Sequence, residues 1–185
     1  MIWIELGGAL AGLLSVWLTI QSNIWCWVWG TVSVLLYATV FFHERLYADM
    51  GLQFVFLAIN IMGLYEWKYG AVHRKPRVIA RVSPRVALFV GIVTACCALS
   101  LIVLLKTQTD AVLPELDAIL TSCSLAALWM QAKKYREHWI VWFVADIAYV
   151  VMFMSRMLIL TAGLYAIFAG MAIIGYKEWK VQGNT

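Results

Sequence analysis

The chain has 185 residues, of which 64% are hydrophobic and 13% charged, with a formal net charge of +4. Charged residues make up about 25% of a soluble domain, so this composition excludes one and places the chain in a lipid bilayer. The cations gather in a few connecting segments, which makes the positive balance a topology signal and a poor indicator of nucleic-acid binding.

Seven apolar stretches approach the ~20 residues needed to cross the hydrocarbon. The first, residues 3–20, lacks a basic leader, so no cleavable signal peptide is expected. A tight Gln21-Ser22-Asn23 connection leads to the second, 24–42. The third, 46–67, carries Asp49, Gln53, Phe56 and Asn60 at steps of four, three and four, which puts them on one helix face. Beyond it Arg77, Arg81 and Arg85 recur every four residues beside Pro76 and Pro84, a basic strip suited to anionic lipid headgroups, and His73 reads as solvated loop.

The fourth stretch, 86–105, holds adjacent Cys96 and Cys97 in an apolar run. These, with Cys26 and Cys123, have no metal-ligand or redox spacing and read as small packers. The fifth spans 113–132. The sixth, 138–156, repeats the polar pattern of the third, with Trp142, Asp146, Tyr149 and Phe153 on one face. After the short Arg156-Met157 connection comes the seventh, 158–177. His43 and His138 fall at the membrane edges.

The two ends of the chain are one segment written twice. With a shift of 112 residues, 15 of the 56 positions from Leu13 to Lys68 are identical. They include Trp17 and Trp129, Trp27 and Trp139, Tyr37 and Tyr149, Phe41 and Phe153, Gly51 and Gly163, and Gly63 and Gly175. The run closes on Glu66-Trp67-Lys68 against Glu178-Trp179-Lys180. Such a repeat sets the architecture: an all-α, seven-helix membrane protein in which two triplets flank a spacer helix. The units are 1–68, the basic loop with helix four at 69–112, 113–180, and a tail at 181–185. Three helices and a spacer give both triplets the same orientation, a parallel repeat.

If the chain starts outside, the segments after stretches three and five and the C-terminal tail face the cytoplasm. They hold Lys68, Arg74, Lys75, Arg77, Arg81, Arg85, Lys133, Lys134, Arg136, Lys177 and Lys180, against only Arg45, Lys106 and Arg156 opposite. That is the positive-inside bias.

Polar groups within the membrane usually face a cavity or a partner. Asp146 lies near mid-depth, and the sequence places no Lys or Arg at that depth to neutralise it. A carboxylate beside aromatic rings suits an organic cation, by charge pairing and cation–π contact. The repeat sharpens this: Asp146 aligns with Val34, Trp142 with Gly30, Gln53 with Tyr165, and Asn60 with Ala172. Positions alike in both halves read as packing anchors, including the Glu-Trp-Lys triplets, whose Trp would sit in the interfacial aromatic belt. Positions that differ are where a pseudo-symmetric frame can read an asymmetric ligand. Amides such as Asn60 and Gln53 also serve as helix–helix glue. A protonatable Asp146 would equally suit a proton-coupled symporter. The chain has no P-loop and no HExxH, so neither an enzyme nor a bound cofactor is expected.

Asn23-Ile-Trp-Cys-Trp27-Val-Trp-Gly30, Leu46-Tyr-Ala-Asp-Met-Gly-Leu-Gln53 and Trp139-Ile-Val-Trp142-Phe-Val-Ala-Asp146 resemble the PnuC family of bacterial vitamin-precursor transporters, over nearly the whole chain. The resemblance implies a three-plus-one-plus-three fold akin to the SWEET sugar transporters, and homo-oligomers, as trimers. It also implies facilitated diffusion of nicotinamide riboside across the inner membrane, followed by cytoplasmic phosphorylation, with thiamine carriers among the relatives. Asp146 stands where the riboside transporters have Asn, and His138 where they have a Trp. On this reading Trp142 and Tyr149 stack on the substrate ring, Asp146 offsets its charge, and Asn60 and Gln53 bind its hydroxyl-bearing part.

Overall fold

The computed structural model describes residues 2–43, 47–70, 77–108, 113–155, 157 and 159–183. Arg45, His73, Arg74, Lys75, Pro76, Arg156 and the side chain of Asp49 fall outside this description. These residues form seven helices: α1 (Ile2–Ile20), α2 (Trp25–His43), α3 (Tyr47–Tyr69), α4 (Pro84–Gln108), α5 (Pro114–Ala132), α6 (His138–Ser155) and α7 (Ile159–Gln182). Among the described residues, α1, α2, α4, α6 and Met50–Tyr69 of α3 are long and apolar enough to cross a membrane. Proline opens both α4 and α5, at the helix position where its missing N–H costs nothing.

Contacts run α1–α2–α3 within the first triplet and α5–α6–α7 within the second. The triplets join where α3 meets α5 and α1 meets α7, while among the described helices α4 touches only α5. Matching turns end α1 and α5. Ser22 and Lys134 both adopt a left-handed φ of 54°, unusual for residues other than glycine. Their amides close on Thr19 O and Gln131 O, at 2.9 Å in each case. All these positions are 112 apart.

The largest buried cluster sits at the end bearing these turns, made basic by Lys133, Lys134 and Arg136, and includes Trp27, Trp67, Trp139 and Trp179. Here the structure corrects one expectation. Trp67 and Trp179 are 5% and 0% exposed, so they belong to the core and not to an aromatic belt. Trp67 Nε1 donates to Gln131 O at 3.2 Å, and Trp179 Nε1 donates to Thr19 O at 2.9 Å. Each triplet thus fastens its last helix to the first helix of the other. Gly63 lies under the Trp27 ring and Gly175 under Trp139; a methyl at Gly175 would come within 2.5 Å of ring carbons. The retained glycines make room for the retained indoles.

Arg77 is a second correction. It binds Glu66 at 2.5 Å, and Lys133 binds the other Glu66 oxygen at 2.6 Å, so Arg77 is a bundle contact. Arg81 and Arg85 are exposed, and Arg81 Nε lies 4.0 Å from a Glu137 oxygen. Ala80 exchanges backbone hydrogen bonds with Lys134 and Arg136, stitching the segment before α4 to the α5–α6 turn. Burial lowers Lys134 below the usual lysine range, and its Nζ rests 4.4 Å from the Trp67 ring centroid.

Candidate functional site

A cavity of about 240 Å³ lies between the two triplets. Twelve of its seventeen lining residues form six pairs related by the 112-residue shift: Val16 and Leu128, Thr19 and Gln131, Gly30 and Trp142, Val34 and Asp146, Phe56 and Phe168, Asn60 and Ala172. The cavity therefore sits on the pseudo-symmetry axis. Two pairs keep their character. The other four differ in polarity or bulk, so symmetric walls present asymmetric chemistry.

Trp142, Asp146 and Asn60, all expected from sequence, line this one cavity. Asp146 is 4% exposed and Asn60 5%. No Lys, Arg or His is among the lining residues described. Asn60 Nδ2 donates to Phe56 O at 2.9 Å, one helical turn back, which leaves Oδ1 as its free acceptor face. That oxygen occupies the space beside Gly30, where a methyl would lie 2.6 Å away. At the equivalent position of the second half stands the Trp142 indole. Small on one wall and large on the other, this pair gives the cavity its handedness.

Gln53 and Tyr149 do not join that group. They line a second cavity of about 270 Å³ with Phe41, Leu52, Asp117, Thr121 and Ser124, toward the end away from the basic turns. The two cavities meet at Phe56, Trp142 and Tyr165, which line both. Tyr149 packs on Tyr165 at 4.6 Å between ring centroids and stacks on Phe153 at 6.0 Å. The residues of the two stripes, expected to share one site, thus line two adjoining cavities.

At the basic end the first cavity is lined by Trp139, Thr19 and Gln131, with Gln131 Nε2 donating to Thr19 Oγ1 at 3.3 Å. His138, placed at a membrane edge by sequence, is fully buried against Trp139 and Trp179. Its Nδ1 lies 2.8 Å from Tyr135 O, while its Nε2 and the Nε1 atoms of Trp27 and Trp139 have no hydrogen-bond partner among the described residues. The sequence reading missed Ser15, Thr19, Ser33, Gln131, Tyr165 and Phe168. Of these, Tyr165 carried a signal as the mismatched repeat partner of Gln53, and Thr19 and Gln131 carried the same signal as mismatched partners of each other.

The sequence model of the family described as nicotinamide mononucleotide transporter matches residues 2–181. The chain is similar to the nicotinamide riboside transporter PnuC of Escherichia coli K12, with 25% identity over 96% of this chain and 84% of that protein. It is also similar to the riboflavin/roseoflavin transporter RibM of Streptomyces davaonensis, with 24% identity over 100% and 87% of the two chains. A crystal structure of the vitamin B3 transporter PnuC superposes with a TM-score of 0.78 at 23% identity, over 98% of this chain and 82% of that one. That superposition establishes the shared fold.

Proposed function

The chain belongs to the nicotinamide mononucleotide transporter family, and on that premise we propose that it is a passive uniporter for a cationic, aromatic vitamin precursor. Nicotinamide riboside is the first candidate and thiamine the second. The observation that carries this reading is Asp146, a buried carboxylate lining a cavity that contains no described cationic side chain. An ionised carboxylate held out of water needs a counter-charge, and a pyridinium or thiazolium ring supplies one. Trp142 offers the face for cation–π stacking, and Asn60 offers amide hydrogen bonds to hydroxyl groups.

The same chemistry argues against two other ligands. A phosphorylated nucleotide would bring two negative charges beside Asp146 with no Arg or Lys to receive them. Riboflavin is uncharged and would leave the carboxylate unpaired. The proposed cargo is therefore the dephosphorylated cation, taken up across the bacterial inner membrane and retained by phosphorylation in the cytoplasm. The N-terminus would lie outside and the basic turns inside, in keeping with the positive-inside rule. The working form would be a homotrimer.

Calorimetric titration of the purified protein with nicotinamide riboside, thiamine and nicotinamide mononucleotide tests this. One of the two cations should bind and the mononucleotide should not. Asp146→Asn should weaken the bound cation at least tenfold, about 1.4 kcal/mol, and Trp142→Ala comparably. Absence of binding by both cations, or variants that bind like the parent, would sink the assignment.

A further inference from the structure

Three hydroxyls stand on the cavity wall that α1 and α2 contribute: Ser15 and Thr19 on α1, and Ser33 on α2. A serine or threonine hydroxyl has one hydrogen to give and two lone pairs with which to accept. Here each hydrogen is committed to a backbone carbonyl. Ser15 Oγ donates to Cys26 O at 2.7 Å, Ser33 Oγ to Gly8 O at 2.8 Å, and Thr19 Oγ1 to Ser15 O at 2.9 Å. Thr19 Oγ1 also accepts from Gln131 Nε2, which leaves Ser15 and Ser33 as the open acceptors of this wall among the described residues. We propose that Ser15 and Ser33 determine specificity: with Asn60 Oδ1 they form an acceptor wall that receives the hydroxyl hydrogens of a sugar-bearing cation. This rests on the reading of the cavity as a site for an aromatic cation, and narrows that class to its glycosides.

Glycines give these oxygens room. A methyl at Gly30 would lie 3.2 Å from Ser15 Oγ and 2.6 Å from Asn60 Oδ1, and one at Gly12 would lie 3.3 Å from Ser33 Oγ. Gly12 and Gly30 line the same cavity, so the acceptors border space that a ligand can enter. Serines that bond across two helices also serve as packing glue. The repeat argues that glue is not their whole role. The α5–α6 pair stands at the same place in the second triplet, yet 112 residues on it has Ala127 and Ala145, 0% and 2% exposed. Close packing at these positions therefore needs a small side chain and no hydroxyl. The two alanines are not among the residues lining the cavity, whereas both serines are. The second triplet presents Trp142 and Asp146 instead. The walls thus divide the ligand, ring and charge on one side and hydroxyls on the other.

The test is a pair of ligands: nicotinamide riboside, and N-methylnicotinamide, which keeps the cationic ring and lacks the sugar. In titrations of the purified protein the riboside should bind at least about tenfold tighter, as several hydrogen bonds imply. Ser15→Ala and Ser33→Ala install the residue that the other half already holds. Each should weaken the riboside about three- to tenfold, the worth of one neutral hydrogen bond, and move N-methylnicotinamide less than about twofold. A purely packing role would move both ligands together. Gly30→Ala keeps both serines and fills the space beside Ser15 Oγ and Asn60 Oδ1. It carries the same expectation if a serine variant does not fold. Equal binding of the two ligands by the parent, serine variants that hold the riboside as the parent does, or equal losses for both ligands would overturn the acceptor wall. Asp146→Asn should weaken both ligands alike, because both carry the charge. An Asp146→Asn variant without effect sinks the cation reading, and unselective serine variants sink only the wall, so the two failures are distinguishable.

Discussion

At Gly175 a methyl group would come within 2.5 Å of the Trp139 ring, whereas at Gly51 nothing lies within 4 Å of where it would go. Both glycines recur in the repeat, yet only the first is required by packing. Gly175→Ala should therefore lower stability by about 1–3 kcal/mol through overpacking of a buried indole. Gly51→Ala should be neutral or slightly stabilising, because alanine is the better helix former. Thermal midpoints in detergent compare the two, and equal midpoints would refute the packing account. Side-chain chemistry was legible where it broke the apolar pattern: Trp142, Asp146 and Asn60 stood out by depth and by mismatch with their repeat partners. Thr19 and Gln131 are mismatched partners too, but they lie near helix ends, where polar residues are ordinary. Thr19 also satisfies its hydroxyl on Ser15 O at 2.9 Å, the usual behaviour of threonine in a membrane helix. The tryptophans of the Glu-Trp-Lys triplets were misplaced because sequence gives the depth of a helical residue but not the direction it faces.

Helix α4 is the element the repeat leaves over. Among the described helices it contacts only α5, and Leu88, Phe89, Leu99 and Val103 on it are each more than 60% exposed. With α5 and α6 it borders an apolar groove of about 730 Å³. A helix apolar on every side meets lipid or another protein, and the proposed trimer would supply the second. The expected particle is a trimer of the 20.9 kDa chain. Light scattering with the detergent contribution subtracted reads its mass, and a monomer would count against the proposal. The seven helices themselves were legible because each is a long apolar run, and their ends agree with the sequence reading to within a few residues. The largest shifts are at the C-termini of α4 and α7, which continue to Gln108 and Gln182. There Lys106 and Lys180 extend the helix beyond the apolar run, since a long cationic side chain reaches the interface from within a helix.

For the molecule as a whole, the charge asymmetry predicts a fixed orientation. In intact cells an impermeant thiol reagent should label Met157→Cys, which is 79% exposed at the end away from the basic turns. It should spare Val181→Cys, 64% exposed at the other end. The opposite pattern would invert the proposed topology. The reach of the two crossed indole bonds is wider than the core they help build. Trp67 holds the α5 terminus and Trp179 holds the α1 terminus, so neither triplet can withdraw at the basic end without releasing the other. Each bond contributes only about 1 kcal/mol net, within reach of thermal fluctuation, yet both must part together. On the proposed function, departure toward the basic side would therefore be a concerted event, in which the two triplets act as mutual doorkeepers.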